Sequence, residues 1–237
     1  MKQVSQVISA LKEKGNPARI KTFEKHGAPA DKLFGVSVAD MKVIAKKIKG
    51  EQELALELYE TGNCDAMYLA GMVADGAQMT KKQLDSWARK ASWEMISEYT
   101  VPGVATENKK HTRDLALKWM KARKETVASA GWATYAGYLA VTSDEDLDFK
   151  EIRSLLKRVE KEIDEAPNRV KYTMNGFVIA VGSWVVPLMN AAKATAKKLG
   201  KVDVDMNGTS CKVPLATEYI EKVEKMGRAG KKRTTMK

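Results

Sequence analysis

The stretch Ala91 to Pro102, ASWEMISEYTVP, carries the densest set of side chains able to act on a ligand: an indole at Trp93, carboxylates at Glu94 and Glu98, and a hydroxyl at Ser97. On an ideal helix Ser97 lies about 40° from Trp93, so the two share a face, while Glu94 and Glu98 fall about 100° and about 140° away. Such a face reads as a working pocket, as a pocket without its charged member, or as ordinary core, because large aromatics are mostly buried in any α-protein. Basic side chains form a second group. Lys109, Lys110, Arg113, Arg169 and Lys171 fall near expected helix N-termini, where backbone amides and a cation can share one phosphate. The alternative for each is a solvated helix face, the reading given to Lys46, Lys47, Lys81, Lys82, Lys197 and Lys198. Trp132 and Tyr135 in GWATYAG either stack on a nucleic-acid backbone or seal a helix interface, and the small residues around them favour the second.

Metal and thiol chemistry find little support. The two cysteines, Cys64 and Cys211, and the two histidines, His26 and His111, show no CxxC or HxxxH spacing, so no metal, disulfide or other cofactor is expected. Cys211 has no histidine near it in sequence to activate a thiolate, and NGTSCKVP reads as a cap or loop that seats the last helix.

Amphipathic helices must position these groups. Capping signals at Ser37, Thr80 and Asp148 open segments of period near 3.6, and Gly15-Asn16-Pro17, Gly50, Gly62-Asn63, Gly76, Pro102-Gly103, Pro167-Asn168 and Gly200 close them. The result is about a dozen helices with almost no strand signal. Segments rich in small and apolar residues, DAMYLAGMVAD, ASAGWATYAGYLAV and TMNGFVIAVG, alternate with helices carrying Lys and Glu on an exposed face. Two such tiers predict an all-α fold, a HEAT- or armadillo-like superhelix of antiparallel helix pairs in which small residues let neighbours stack. A compact irregular α-domain is the alternative.

At 237 residues, 44% hydrophobic and 30% charged, the chain has a globular composition. Its longest apolar run, GFVIAVGSWVVPLM, is too short to span a bilayer and contains a proline, and its N-terminus lacks an uninterrupted apolar h-region, so a cytoplasmic location is expected. Net charge is +11 and the isoelectric point about 9.4, which calls for a polyanionic partner. Six of those charges sit in residues 225–237, leaving +5 on residues 1–224. Residues 1–224 are expected to form one domain and residues 225–237 a basic, disordered tail, with a phosphate-gripping arm as the alternative.

Several segments in order resemble the DNA alkylation repair family, the AlkD-like HEAT-repeat proteins. They are FGVSVADMKVIAKKIKG, LALELYETGNCDAMYLAGMVAD, ASWEMISEY, AGWATYA, EIDEAPNRVKYTMNGFVIAVG and GTSCKVPLATEYIEKV, and the likeness is greatest to a divergent branch with a GTSC-type C-terminal segment. The resemblance implies a curved helical array with a basic concave face that holds duplex DNA. It also implies, for active members, release of 3-methyladenine and 7-methylguanine without metal or redox cofactor. In those members an aspartate stabilises the oxocarbenium-like sugar while two tryptophans cup it. Carried over, the first tryptophan falls on Trp93, the aspartate on Ser97 and the second tryptophan on Phe177. The carboxylate is missing, and Glu94 is the nearest stand-in. Ser129 and Ala180 stand where active relatives hold backbone-bracing arginines. The expectation is a monomeric DNA-binding protein, its partner duplex DNA, alkylated or not, with glycosylase activity weak or absent. A scaffold that binds protein or RNA is the alternative.

Overall fold

The computed structural model describes residues 3–237, and among them lie thirteen α-helices and no strand. In chain order these are α1 Val4–Glu13, α2 Pro17–Lys25, α3 Val38–Lys47, α4 Gln52–Glu60, α5 Cys64–Val73, α6 Lys81–Lys90, α7 Val101–Ala105, α8 Thr112–Trp119, α9 Glu125–Val141, α10 Phe149–Glu162, α11 Asn168–Trp184, α12 Met189–Leu199 and α13 Ala216–Lys225. The caps act as their side chains dictate. Thr80 Oγ1 accepts from Gln83 N while Gln83 Oε1 accepts from Thr80 N, a reciprocal box that starts α6. Ser37 caps α3 and Asp148 caps α10, each accepting from the amide three residues on. Only half of the Asp148 box forms, because Glu151 turns to Arg113 and Tyr135 instead.

Two tiers are visible. Outer α10 is strongly one-sided, burying Ile152, Leu155, Leu156 and Val159 at helical spacing, and each such side chain contributes roughly 1.5–3 kcal/mol on leaving water. Inner α5, α9 and α11 are buried nearly all round. Small residues allow their close approach: a Cβ on Gly131 of α9 would lie 2.4 Å from the backbone nitrogen of Met120 at the end of α8. The core forms two adjoining clusters, one spanning α1 to the start of α9 and including Trp93, the other spanning α8 to α13 and including Phe177.

Two departures from the sequence reading matter for function. Pro102-Gly103 does not stop the helix: the chain is helical from the π-helical turn Met95–Thr100 straight through α7. Proline at position 102 has no N–H to offer the carbonyl of Glu98, and the backbone answers by widening to a π turn one turn earlier. The second departure is the tail. Residues 228–237, expected to be disordered, run as a strap over the inner tier, since the last turns of the inner helices expose carbonyls that need donors. Gly230 N donates to Ser183 O of α11 (2.9 Å), Arg233 N to Ala140 O of α9 (2.8 Å) and Lys232 Nζ to Leu139 O (2.9 Å). Lys237 Nζ donates to Ala74 O, just past α5. Lys232 also pairs with Asp144 at 2.9 Å and Lys237 with Glu107 at 2.7 Å, so the strap carries its own counter-ions. No single helix among the described residues is long and apolar enough to cross a membrane.

Candidate nucleic-acid interface

The π turn aims ASWEMISEY differently from an ideal helix. Trp93 is 7% exposed, its ring 5.2 Å from that of Phe23 on α2, and its indole N–H donates to the His26 carbonyl at 2.8 Å. Ser97 is fully buried and its hydroxyl has no partner among the described residues. Glu94 and Glu98, four residues apart and both expected off the face of Trp93, converge on one guanidinium, that of Arg169 in the first turn of α11. Arg169 Nε lies 2.9 Å from Glu98 Oε1 and 3.2 Å from Glu94 Oε2, and Nη2 closes the bidentate pair with Glu98. Burial pushes the Glu98 carboxyl up to about 7 despite that pairing, and burial also raises Glu94. Arg169 is further held by its own backbone N–H, which donates to Glu125 at 2.7 Å, and by its guanidinium lying 4.3 Å over the Tyr172 ring. An arginine whose charge is already matched by two carboxylates is not a free cation for a DNA phosphate, which corrects its assignment.

Phe177 does not face Trp93. It is fully buried against Trp132 (5.3 Å) and Tyr135 (5.7 Å), because five residues past Tyr172 it points from α11 toward α9 rather than toward the π turn. Trp132 and Tyr135 are buried too, so neither can stack on nucleic acid, and the interface reading is the one realised. Tyr135 donates to Glu151 at 2.6 Å, and the same carboxylate takes a bidentate pair from Arg113 (2.9 and 2.6 Å), which removes Arg113 as a free phosphate ligand. Lys109 and Lys110 are exposed and Lys171 half-buried, and none has a carboxylate partner among the described residues. Ser129 and Ala180 are buried.

What Trp93 does line is an open cleft of about 430 Å³ between α2, α3, α5, the π turn and the start of α11. Phe23, Tyr68, Tyr99 and Tyr172 complete its aromatic walls, Glu94 and Arg169 form its polar end, and residues 206–212 cover one rim. Asp65 fixes the opposite rim by accepting from the amides of Phe34, Gly35 and Val36 at 2.6, 3.1 and 3.0 Å. Cys211 is exposed at the covering loop, as NGTSCKVP suggests, and that loop is pinned to α11 by Asn168 with Asp205 and by Asn175 with Pro214. Cys64 is buried, and burial raises its thiol.

Beside the cleft runs a groove of about 720 Å³, floored by the small residues of α9 and α11 and walled by α13 and the strap. Lys222, Arg228 and Arg233 line it, all exposed and none with a carboxylate partner among the described residues. Tyr219 (47% exposed) and Tyr99 (51% exposed) stand along it. Tyr99 and Tyr172 belong to both cavities and form the sill between them. Sequence reading misses these tyrosines and cations, because only the folding of the tail against α9 and α11 assembles them. Among the described residues no three His, Cys, Asp or Glu side chains are grouped to hold a metal ion.

Tiers of antiparallel helices, small-residue inner faces and a cationic groove define a HEAT-like helical repeat protein. The chain belongs to the DNA alkylation repair family: residues 7–188 match the family described as DNA alkylation repair enzyme. A solved structure reported as a new family of proteins related to the HEAT-like repeat DNA glycosylases, with affinity for branched DNA structures, is similar over 98% of both chains, with 37% identity and a TM-score of 0.87. Two uncharacterized proteins, from Listeria innocua and Listeria monocytogenes, are 33% and 32% identical over 224 residues, 92% of this chain and 95% of each relative.

Proposed function

We propose that this protein binds DNA, branched DNA in particular, through the cationic groove on its inner tier, and does not cleave glycosidic bonds at a useful rate. The observation that carries the reading is the trio Lys222, Arg228 and Arg233, exposed and without carboxylate partners in a groove flanked by tyrosines. Unpaired cations along a concave path gain by displacing counterions from phosphates, and rings beside them can stack on bases exposed where duplex arms meet. Affinity for branched DNA in the similar solved structure supports the choice of partner. Against hydrolysis stands the electrostatics of the turn that resembles the family's site: Ser97 is buried, and both neighbouring carboxylates are spent on Arg169. A carboxylate neutralised by a guanidinium stabilises a developing sugar cation poorly. The reading includes a cytoplasmic monomer that needs no metal and does not depend on an alkylated base. Fluorescence anisotropy with a four-way junction, a three-way junction and a linear duplex, each at several salt concentrations, tests it. The expected result is tighter binding of the junctions and a steep fall with salt; equal, salt-insensitive binding of all three defeats it.

A further inference from the structure

We infer that the aromatic cleft is a receptor for one unpaired nucleobase, delivered over the Tyr99–Tyr172 sill from a DNA strand lying in the adjoining groove. The inference rests on the DNA-binding reading above and adds to it a site for a particular part of the ligand. Three observations carry it. The cleft is open rather than filled: Phe23, Tyr68 and Tyr172 remain half-buried, and Tyr99 is 51% and Val38 42% exposed, so a large apolar surface meets solvent. Its volume, about 430 Å³, lies in the range of small-ligand sites, and its composition, aromatic walls with a polar end at Glu94 and Arg169, suits a planar heterocycle with a hydrogen-bonding edge. Finally, the cleft is continuous with the cationic groove through Tyr99 and Tyr172, which line both, so a strand held by Lys222, Arg228 and Arg233 would present its bases at the cleft mouth.

The walls are pre-set for stacking. Arg169 lies over Tyr172 at 4.3 Å and Phe23 braces Trp93, so the rings are held before a ligand arrives and little side-chain entropy is lost on binding. Stacking a base on an aromatic side chain contributes about 1–3 kcal/mol and tolerates any sequence. Unstacking costs least where pairing is already interrupted, as at a branch point, so the cleft would favour branched over linear DNA without reading sequence.

A three-way junction carrying 2-aminopurine as an unpaired base at its branch, with a distant dye on one arm, tests the proposal. The dye's anisotropy reports binding and 2-aminopurine emission reports stacking; a second junction places the probe in a paired arm. Saturating wild-type protein is expected to change branch-point emission at least about twofold and leave the paired probe unchanged. Tyr68→Ala, which removes a wall of the cleft, and Val38→Trp, which fills it from an exposed position, touch the cleft and not the groove; each is expected to keep junction binding by anisotropy, weakened by no more than about tenfold, while losing the emission change. Binding without any emission change, or an emission change that persists in both variants, overturns base capture alone. Absence of junction binding by anisotropy overturns the DNA reading, and base capture falls with it.

Discussion

Arg169 and Glu98, 71 residues apart in the chain, form a bidentate ion pair that joins the π turn to the first turn of α11. The pair sits where the two core clusters meet, and Glu94 adds a second carboxylate to the same guanidinium. Because burial raises the Glu98 carboxyl from its ordinary value to about 7, the folded state holds a proton that the unfolded chain releases near pH 4.5. The stabilisation linked to that proton is complete below about pH 4.5 and is lost as pH rises through about 7, a change on the order of 3 kcal/mol. Thermal unfolding of wild type is expected to show this loss between pH 5 and 8, and Glu98→Gln is expected to flatten it. A wild-type midpoint that climbs across the window contradicts the assignment.

Ser97→Asp restores the residue type that the resemblance to active glycosylases places there, yet no gain of base release is expected. Position 97 is fully buried and its hydroxyl already lacks a partner among the described residues, so a carboxylate there is unpaired in apolar surroundings. The variant is expected to lose about 3 kcal/mol or more by denaturant unfolding and to release no 7-methylguanine from methylated duplex.

Removing the charges of Arg228 and Arg233 together is expected to weaken junction binding and to reduce the magnitude of its log–log salt slope by up to about 2, about 0.9 for each phosphate no longer neutralised. Gel shifts across a salt series give the slope directly. An unchanged slope would move the phosphate path away from the strap.

Lys232→Ala removes an ammonium that donates to the Leu139 carbonyl and pairs with Asp144, and its expected cost is about 1–2 kcal/mol of stability. Gly131→Ala should cost more, at least about 2 kcal/mol, because the new methyl meets backbone of α8 rather than a side chain that can move aside. Urea unfolding of the two variants beside wild type ranks them.

Helix identity and tiering are legible in the sequence because they rest on local signals. The Thr80–Gln83 box, the Ser37 cap and the small-residue inner segments each act within a few residues of themselves, and the structure places them as read. Angular placement in ASWEMISEY is not legible with a 3.6-residue repeat. Pro102 is visible, but it reads as a stop when the chain stays helical through it and the turn before it widens, and the arginine that Glu94 and Glu98 share lies 71 residues beyond Glu98. Phe177 is misplaced by the family correspondence because sequence order cannot say which way α11 is rotated; Tyr172, five residues earlier, is the ring that meets the cleft. The groove is illegible for a different reason. Its cations come from a segment whose composition reads as solvated tail, and its order depends on carbonyls left open at the ends of three helices far away in sequence.

The strap works like the string of a bow. It is fastened to α11 and α9 at one end and, through Lys237, just past α5 and to Glu107 at the other, so it runs across the inner tier from its last helix to its first. Three helices distant in sequence are thereby tied together by about ten residues that belong to no helix.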